Sequence, residues 1–267
     1  MAEINFVDAL NDPSLVAGFD PENDVLTVPA GISATDVQVL PGDTQTTLVA
    51  AAGTLTLPIG TNAITSGSDG NVQFTDGTIF VGDNDTGTTF DSLGNTIEPD
   101  SDVPHQIWGF GGGDAIDASG TTSDHLIYGN VGRDVITGGS GDDLVYGGKD
   151  ADVVDGGDGA DVLYGNLAND TIDGGDGTDT VFGGQGADSI VGGDGADLLY
   201  GNKGDDTIEG GAGDDLIYGG QGADTIDGDD GADVLYGNKG DDSIDGGDGD
   251  DVVFGGQGAD TIDGEDG

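Results

Sequence analysis

Between Gly129 and Asp263 the pattern G-G-x-G-x-D-x-U-x, with U aliphatic, occurs fifteen times in succession without an insertion. Residues 174–182 (GGDGTDTVF) and 192–200 (GGDGADLLY) show it in full. A register held this strictly restricts the chain to a stack of like units, each burying its apolar side against its neighbours. Within each block the first six residues read as a turn and the last three as a short strand. Side chains alternate along a strand, so position eight faces inward while seven and nine face outward. Ile136, Val145, Val154 and Leu163 open the inward series and Ile262 closes it. Two blocks make one turn of a flattened coil of 18 residues, and at about 4.8 Å per rung fifteen blocks span roughly 35 Å.

Departures from the pattern are few. Asp150 and Ala168 replace the glycine of position four, and Asn130, Asn166, Asn202, Asn238 and Asp229 replace that of position two. The asparagines recur every 36 residues, as do Gln185, Gln221 and Gln257, so a four-block unit was copied several times. The fourth unit stops inside the block that begins at Gly264, which leads us to expect a fragment of a longer chain. Upstream, residues 120–128 stay in register with His125 in place of the aspartate. Residues 109–117 match again after the two extra residues Ala118 and Ser119. The roll is expected to start near Gly109, with Trp108 or Phe110 covering its open end.

Charge narrows the function. The chain of 267 residues has 54 acidic and four basic residues, and 19 of the acids precede Gly129. Such a surface repels nucleic acid and anionic membranes and attracts divalent cations. Nucleic-acid binding is excluded, and no apolar run approaches the roughly 20 residues that span a bilayer, so membrane insertion is not expected. Cysteine is absent, which removes disulfides and thiolate metal sites. The first ten residues carry neither a basic nor an apolar stretch of a cleaved secretion signal.

The turns supply the chemistry that this charge suggests. Their glycines allow positive φ angles that bring backbone carbonyls together, and the aspartate of position six adds an anionic oxygen. All-oxygen, partly carboxylate ligation suits a hard cation of the size of Ca²⁺, whereas zinc would want imidazole or thiolate. The candidate metal-binding residues are Asp134, Asp143, Asp152, Asp161, Asp170, Asp179, Asp188, Asp197, Asp206, Asp215, Asp224, Asp233, Asp242, Asp251 and Asp260, with Asp114 upstream. One aliphatic side chain per block contributes about 1.5–3 kcal/mol, which is small against the entropy of ordering nine residues, so metal binding and folding are expected to be coupled.

These repeats resemble the RTX (repeats-in-toxin, haemolysin-type) calcium-binding family, over about half the chain. The resemblance implies an all-β fold, a right-handed parallel β-roll solenoid of nonapeptide repeats; the strand signals upstream of it read as a small all-β N-terminal domain. It implies multiple bound Ca²⁺ ions, each bridged by a position-six aspartate and by carbonyls of its own and a neighbouring same-side turn. It also implies type I secretion from a Gram-negative bacterium, with folding in the calcium-rich exterior or at the cell surface.

The expected divisions are a small β-rich domain over residues 1–104, degenerate leading repeats over 105–128 and the calcium-binding roll over 129–267. In the first, Val25–Val28, Val37–Leu40, Thr46–Ala50 and Thr54–Leu57 read as strands, and Asp76-Gly77 centres a hairpin over Val72–Val81. Residues 91–108, with Pro99 and Pro104, read as the connection.

Position nine carries aromatics every 18 residues, from Tyr128 and Tyr146 to Phe254, facing one side of the coil. Such a strip either shields the sheet or serves self-association or a cell-surface partner. Position three varies too widely for an ice-binding ladder. Asp83-Asn84-Asp85-Thr86-Gly87 reads as a solvated turn, with a further calcium as the alternative. No His-Glu-x-x-His or Gly-x-Ser-x-Gly motif is present, and His105 and His125 are the only histidines. The chain is read as a non-enzymatic, extracellular structural protein of the surface-layer or adhesin kind. The alternative is the non-catalytic repeat module of a secreted enzyme or toxin.

Overall fold

The computed structural model describes residues 104–264 throughout, the side chain of Phe110 apart, and before them the backbone of eight strands. The described residues contain no helix, and so none long and apolar enough to cross a membrane.

From Gln106 the chain winds through a parallel β-solenoid of nine turns, alternating between two sheets. The first sheet holds Gln106–Gly111, Leu126–Val131, Leu144–Lys149 and their successors to Val252–Gln257. The second holds Ala115–Asp117, Val135–Gly139, Val153–Gly159 and onward to Thr261–Asp263. From Leu126 on, each rung pairs with the residue 18 positions on, as in Val145↔Leu163 and Val154↔Ile172. The strands are longer than the three residues per block read from sequence. Most run six or seven residues, through positions one to three of the next block. Backbone amides and carbonyls of those glycine-rich residues stay in the parallel ladder, as the pairs Asn130↔Gly148 and Gly157↔Gly175 record, so the turn shrinks to positions four to six.

The core is one file of aliphatic side chains from each sheet, Ile107 to Leu235 and Ile116 to Ile244, each at most 2% exposed. Val253 is partly buried against it and Ile262, in the last described rung, is 49% exposed. Two aliphatic residues per turn, one from each sheet, thus set the coil's width.

Where the repeat departs from glycine, the backbone conformation persists. Among the described residues, every non-glycine residue with positive φ is one of the seven departures: Asn130, Asp150, Asn166, Ala168, Asn202, Asp229 and Asn238. The four asparagines offset part of that strain by donating Nδ2 to the carbonyl two residues back, as Asn166 does to Tyr164 at 3.3 Å. Position four is tighter. A Cβ on Gly213, whose φ is 136°, would run into the carbonyl of Gly195 in the rung below. Asp150 and Ala168 escape this by closing φ to 73° and 84°. Gly213→Ala should therefore relax in the same way and destabilise the calcium-loaded roll by only about 1–3 kcal/mol, measured by thermal melting. Abolition of folding would show that the turn cannot make this adjustment.

The coil begins earlier than Gly109. Residues 106–108, read above as the end of a connection, already form the first rung of the solenoid, and Thr96–Ile97 pairs with Ala115–Ile116. Trp108 does not cover an open end. It lies in register with Tyr128, stacked at 6.0 Å, and Phe80–Val81 pairs beyond it with Ile107–Trp108. Glu3–Asn5, Val25–Val28, Val72–Phe74 and Gly77–Val81 continue the first sheet, while Val37–Leu40, Thr46–Ala50 and Gly53–Leu57 form an antiparallel sheet of their own. The hairpin pairs Phe74 with Gly77, one residue earlier in the loop than the Asp76-Gly77 reading. Ala118 and Ser119 lengthen one rung, so Asp114 pairs 20 residues on with Asp134. Thr121 closes this longer turn by donating both N–H and Oγ1 to the Ala118 carbonyl.

On the outer face of the first sheet, the rings of Tyr128, Tyr146, Tyr164, Phe182, Tyr200, Tyr218, Tyr236 and Phe254 stack at 4.8–5.0 Å with interplanar angles of 3–9°. Their faces cover one another, so the ladder shields its own sheet.

Candidate calcium sites

All sixteen sequence-predicted aspartates fall into two columns, one along each edge of the coil. At the turns leading from the first sheet to the second stand Asp114, Asp134, Asp152, Asp170, Asp188, Asp206, Asp224, Asp242 and Asp260. At the opposite turns stand Asp143, Asp161, Asp179, Asp197, Asp215, Asp233 and Asp251. From Asp114 to Asp242 each is at most 3% exposed, apart from Asp251, which is partly buried with Asp260 at the last rungs.

Their two oxygens have different surroundings. Oδ1 accepts the backbone N–H of the aspartate one rung below, at 2.7 Å for Asp161 with Asp143 and 3.2 Å for Asp260 with Asp242. Oδ2 of every column aspartate from Asp134 to Asp251 is buried and has no hydrogen-bond partner. Sequence reasoning treated the aspartate as a ligand only. The backbone link of Oδ1 fixes the rotamer that aims Oδ2 inward, and nothing in the pattern of residue types announces it.

Beside most of these Oδ2 atoms lies a backbone carbonyl. A Cβ built on Gly138 would sit 2.5 Å from both Asp143 Oδ2 and the carbonyl oxygen of Gly156 one rung on; for Gly210 both distances, to Asp215 Oδ2 and the Gly228 carbonyl, are 2.6 Å. The first-position glycine thus keeps open a small space bounded by a carboxylate oxygen and a carbonyl from adjacent rungs. No three His, Cys, Asp or Glu side chains converge on a metal-sized site among the described residues, so a cation here would draw most of its remaining oxygens from the backbone. An oxygen-only donor set with one carboxylate per turn suits a hard divalent ion. The orphaned Oδ2 atoms are the observation that tests the fit, because a buried carboxylate without a partner is strongly disfavoured.

That penalty is visible in the acidities. Burial, partly countered by the hydrogen bond from the rung below, raises Asp134 to about 6, Asp143 to about 7 and Asp152 to about 8, the last also through Asp134 and Asp170. Asp161, Asp206 and Asp215 rise to about 7 for the same reasons, with neighbouring carboxylates adding to burial.

A second set of side chains went unnoticed in the sequence. At position five, Oδ1 of Asp142, Asn169, Asp205, Asp214 and Asp241 accepts the amide of the alanine 18 residues on, at 2.8–3.0 Å. An acceptor on one rung and a small residue on the next gives a physical basis for the 36-residue period. His125 stands in the second column where an aspartate belongs. Its amide donates to Asp143 Oδ1 at 2.6 Å, its Nδ1 accepts the amide of His105 at 3.1 Å, and Nε2 meets Thr121 Oγ1. The imidazole therefore takes over the backbone-linking role of Oδ1 and supplies no anionic oxygen. Asp83–Gly87 lies outside the described residues.

Comparison with known proteins agrees with this geometry. The profile of the RTX calcium-binding nonapeptide repeat, in four copies, matches residues 119–154, 128–163, 155–190, 191–226 and 227–262, which together cover more than half of the chain. No curated protein matches it.

Proposed function

From the chain's membership of the RTX calcium-binding repeat family, we propose that it is an extracellular structural protein of a Gram-negative bacterium, folded by calcium and assembled at the cell surface. RTX repeats bind multiple Ca²⁺ ions and serve structurally in secreted proteins, and the β-roll itself is not catalytic. The finer reading concerns the residues and the site of action. The two columns of position-six aspartates, Asp134 to Asp260 with Asp114, hold the ions together with the glycine carbonyls beside them. The buried, unpartnered Oδ2 atoms carry this assignment.

Bound calcium supplies the positive charge that turns the repulsion between stacked carboxylates into attraction. The protein's own residues do the rest. Oδ1 ties each turn to the rung below, the glycines hold the carbonyls close, and the aliphatic files give the coil its width. Without the ion, adjacent buried carboxylates repel, so the chain favours the extended state in a low-calcium cytosol and the rod in a calcium-rich exterior. The division into a β-rich region over 1–104, degenerate rungs over 105–128 and the roll over 129–267 belongs to the same proposal.

Electron microscopy and sedimentation of the full chain, with millimolar calcium and with chelator, test the surface-assembly reading. Ordered assemblies that dissolve on chelation are expected. A folded, strictly monomeric rod in calcium would instead support a non-catalytic module of a secreted enzyme or toxin.

A further inference from the structure

The two edges of the coil are chemically unlike. At positions two to five, the turns leading from the first sheet to the second, from Gly129 on, carry all four basic residues of the chain, Arg133, Lys149, Lys203 and Lys239, against three acids, Asp150, Asp205 and Asp241. The same positions of the opposite turns, from Gly138 to Asp250, carry nine acids and no basic residue. The segregation is sharpest at position three. One edge shows exposed Lys149, Lys203 and Lys239 among Gln185, Gln221 and Gln257; the other shows exposed Asp158, Asp176, Asp194, Asp230 and Asp248. Lys203 and Lys239 share this edge because the 36-residue unit repeats them, and Arg133 and Lys149 fall on it as well.

Shape follows the same division. Shallow depressions of about 410 and 300 Å³ lie over Gly184 and Gly220, where a side chain is missing between two asparagines, and reach from the aromatic ladder (Tyr164 and Phe182, Tyr200 and Tyr218) to the lysine edge. Lys203 and Gln221 rim the first, and Lys239 rims the second. The depressions are two rungs apart. The aspartates of the other edge stand one rung apart, in the register Asp158↔Asp176↔Asp194. Only a partner with the same rung spacing can match such a row along its whole length, and a second copy of this chain has it by construction.

We propose that the lysine-bearing edge of one molecule docks on the acidic edge of a second copy. Because the edges lie on opposite sides of a flat coil, copies related by translation repeat the contact without closing a ring, and the product is an open raft. Lysine ammonium groups and glutamine and asparagine amides meet the carboxylates, while the aromatic ladder stays on a raft face. This inference rests on the surface-assembly reading above and names its contact.

Two full-length variants test it in calcium. Lys149→Glu/Lys203→Glu/Lys239→Glu makes both edges acidic, and Asp158→Lys/Asp176→Lys/Asp194→Lys/Asp230→Lys/Asp248→Lys turns the position-three row of the acidic edge basic. Circular dichroism confirms calcium-induced folding of each, and sedimentation reads assembly. Each alone should raise the protein concentration needed for assembly at least about tenfold, because like charges then face one another. An equimolar mixture should restore it by alternation. Wild-type protein that assembles, with both variants assembling as it does, overturns the edge contact and leaves the surface reading standing. The same holds if Tyr164→Ser/Tyr200→Ser/Tyr236→Ser alone abolishes assembly. Folded variants whose mixture stays monomeric also overturn the edge contact. Wild-type protein that is monomeric in calcium overturns both.

Discussion

Removing calcium with excess chelator at pH 8 should erase most of the β signal of residues 105–264, and restoring it should bring the signal back in a steep, cooperative titration. The expected loss is large because calcium is proposed to hold most rungs of the coil together. Between the sheets there is a single aliphatic side chain per block, from Ile107 to Ile244. Around them, the Oδ2 atoms of Asp134 to Asp251 lie out of water with no donor. At pH 8 these carboxylates are driven toward the charged state, and both desolvation and repulsion between rungs oppose folding. Steepness follows from the architecture, since each rung contacts only its neighbours and ordering spreads along the stack. Circular dichroism with fluorescence of Trp108, whose ring stacks on Tyr128, measures both ends of the transition. A chain that keeps its full β content in chelator would show that hydrogen bonds and the aliphatic files suffice.

Acid should partly replace calcium. The column aspartates have folded, metal-free pKa values raised from 3.8 to about 6 for Asp134, Asp179, Asp224 and Asp233, and to about 8 for Asp152. Burial is the leading cause in each. A group whose pKa is raised on folding binds protons more tightly in the folded state. Its contribution is therefore fully present below the unfolded value and lost as pH rises through the folded one. For the calcium-free chain this places the gain in stability on the acid side, growing as pH falls from about 8 toward 4. In chelator, the β signal at pH 5 should exceed that at pH 8. With calcium present the trend reverses, because protons compete for the same Oδ2 atoms and the calcium midpoint rises as pH falls through 7 and 6. Asp152→Asn/Asp161→Asn/Asp206→Asn/Asp215→Asn mimics protonation. It should raise the calcium-free β signal at pH 8 and weaken calcium binding together. A metal-free signal that stays flat or falls on acidification would show that these carboxylates are not the groups opposing folding.

Much of this molecule was legible as a repeat. The alternation within each block placed Val145, Leu163 and Ile172 in the core, and the glycine turns with their aspartates pointed to an oxygen-rich cation site. The seven departures from glycine identified the residues that the backbone holds at positive φ. Each of these depends on one block and its own geometry, and such local constraints are written in residue type and spacing.

Relations between rungs were not legible in that way. Whether Oδ1 or Oδ2 meets the neighbouring amide, whether Trp108 caps a sheet or joins a ladder, and how Asp205 serves Ala223 all depend on side chains 18 or 20 residues apart meeting across a rung. The same is true of the lysines. In the sequence Lys149, Lys203 and Lys239 are scattered single charges; coiling places them on one edge and sets Asp158, Asp176 and Asp194 on the other. By itself the nine-residue period determined that this chain stacks, buries one aliphatic residue per block and gathers oxygen ligands at its turns, because those outcomes need only local conformation. Which side chains become neighbours, which carboxylate oxygen is left without a donor and which edge carries which charge were decided by the coil, because 18 residues of chain return to within one strand spacing only when the turn closes.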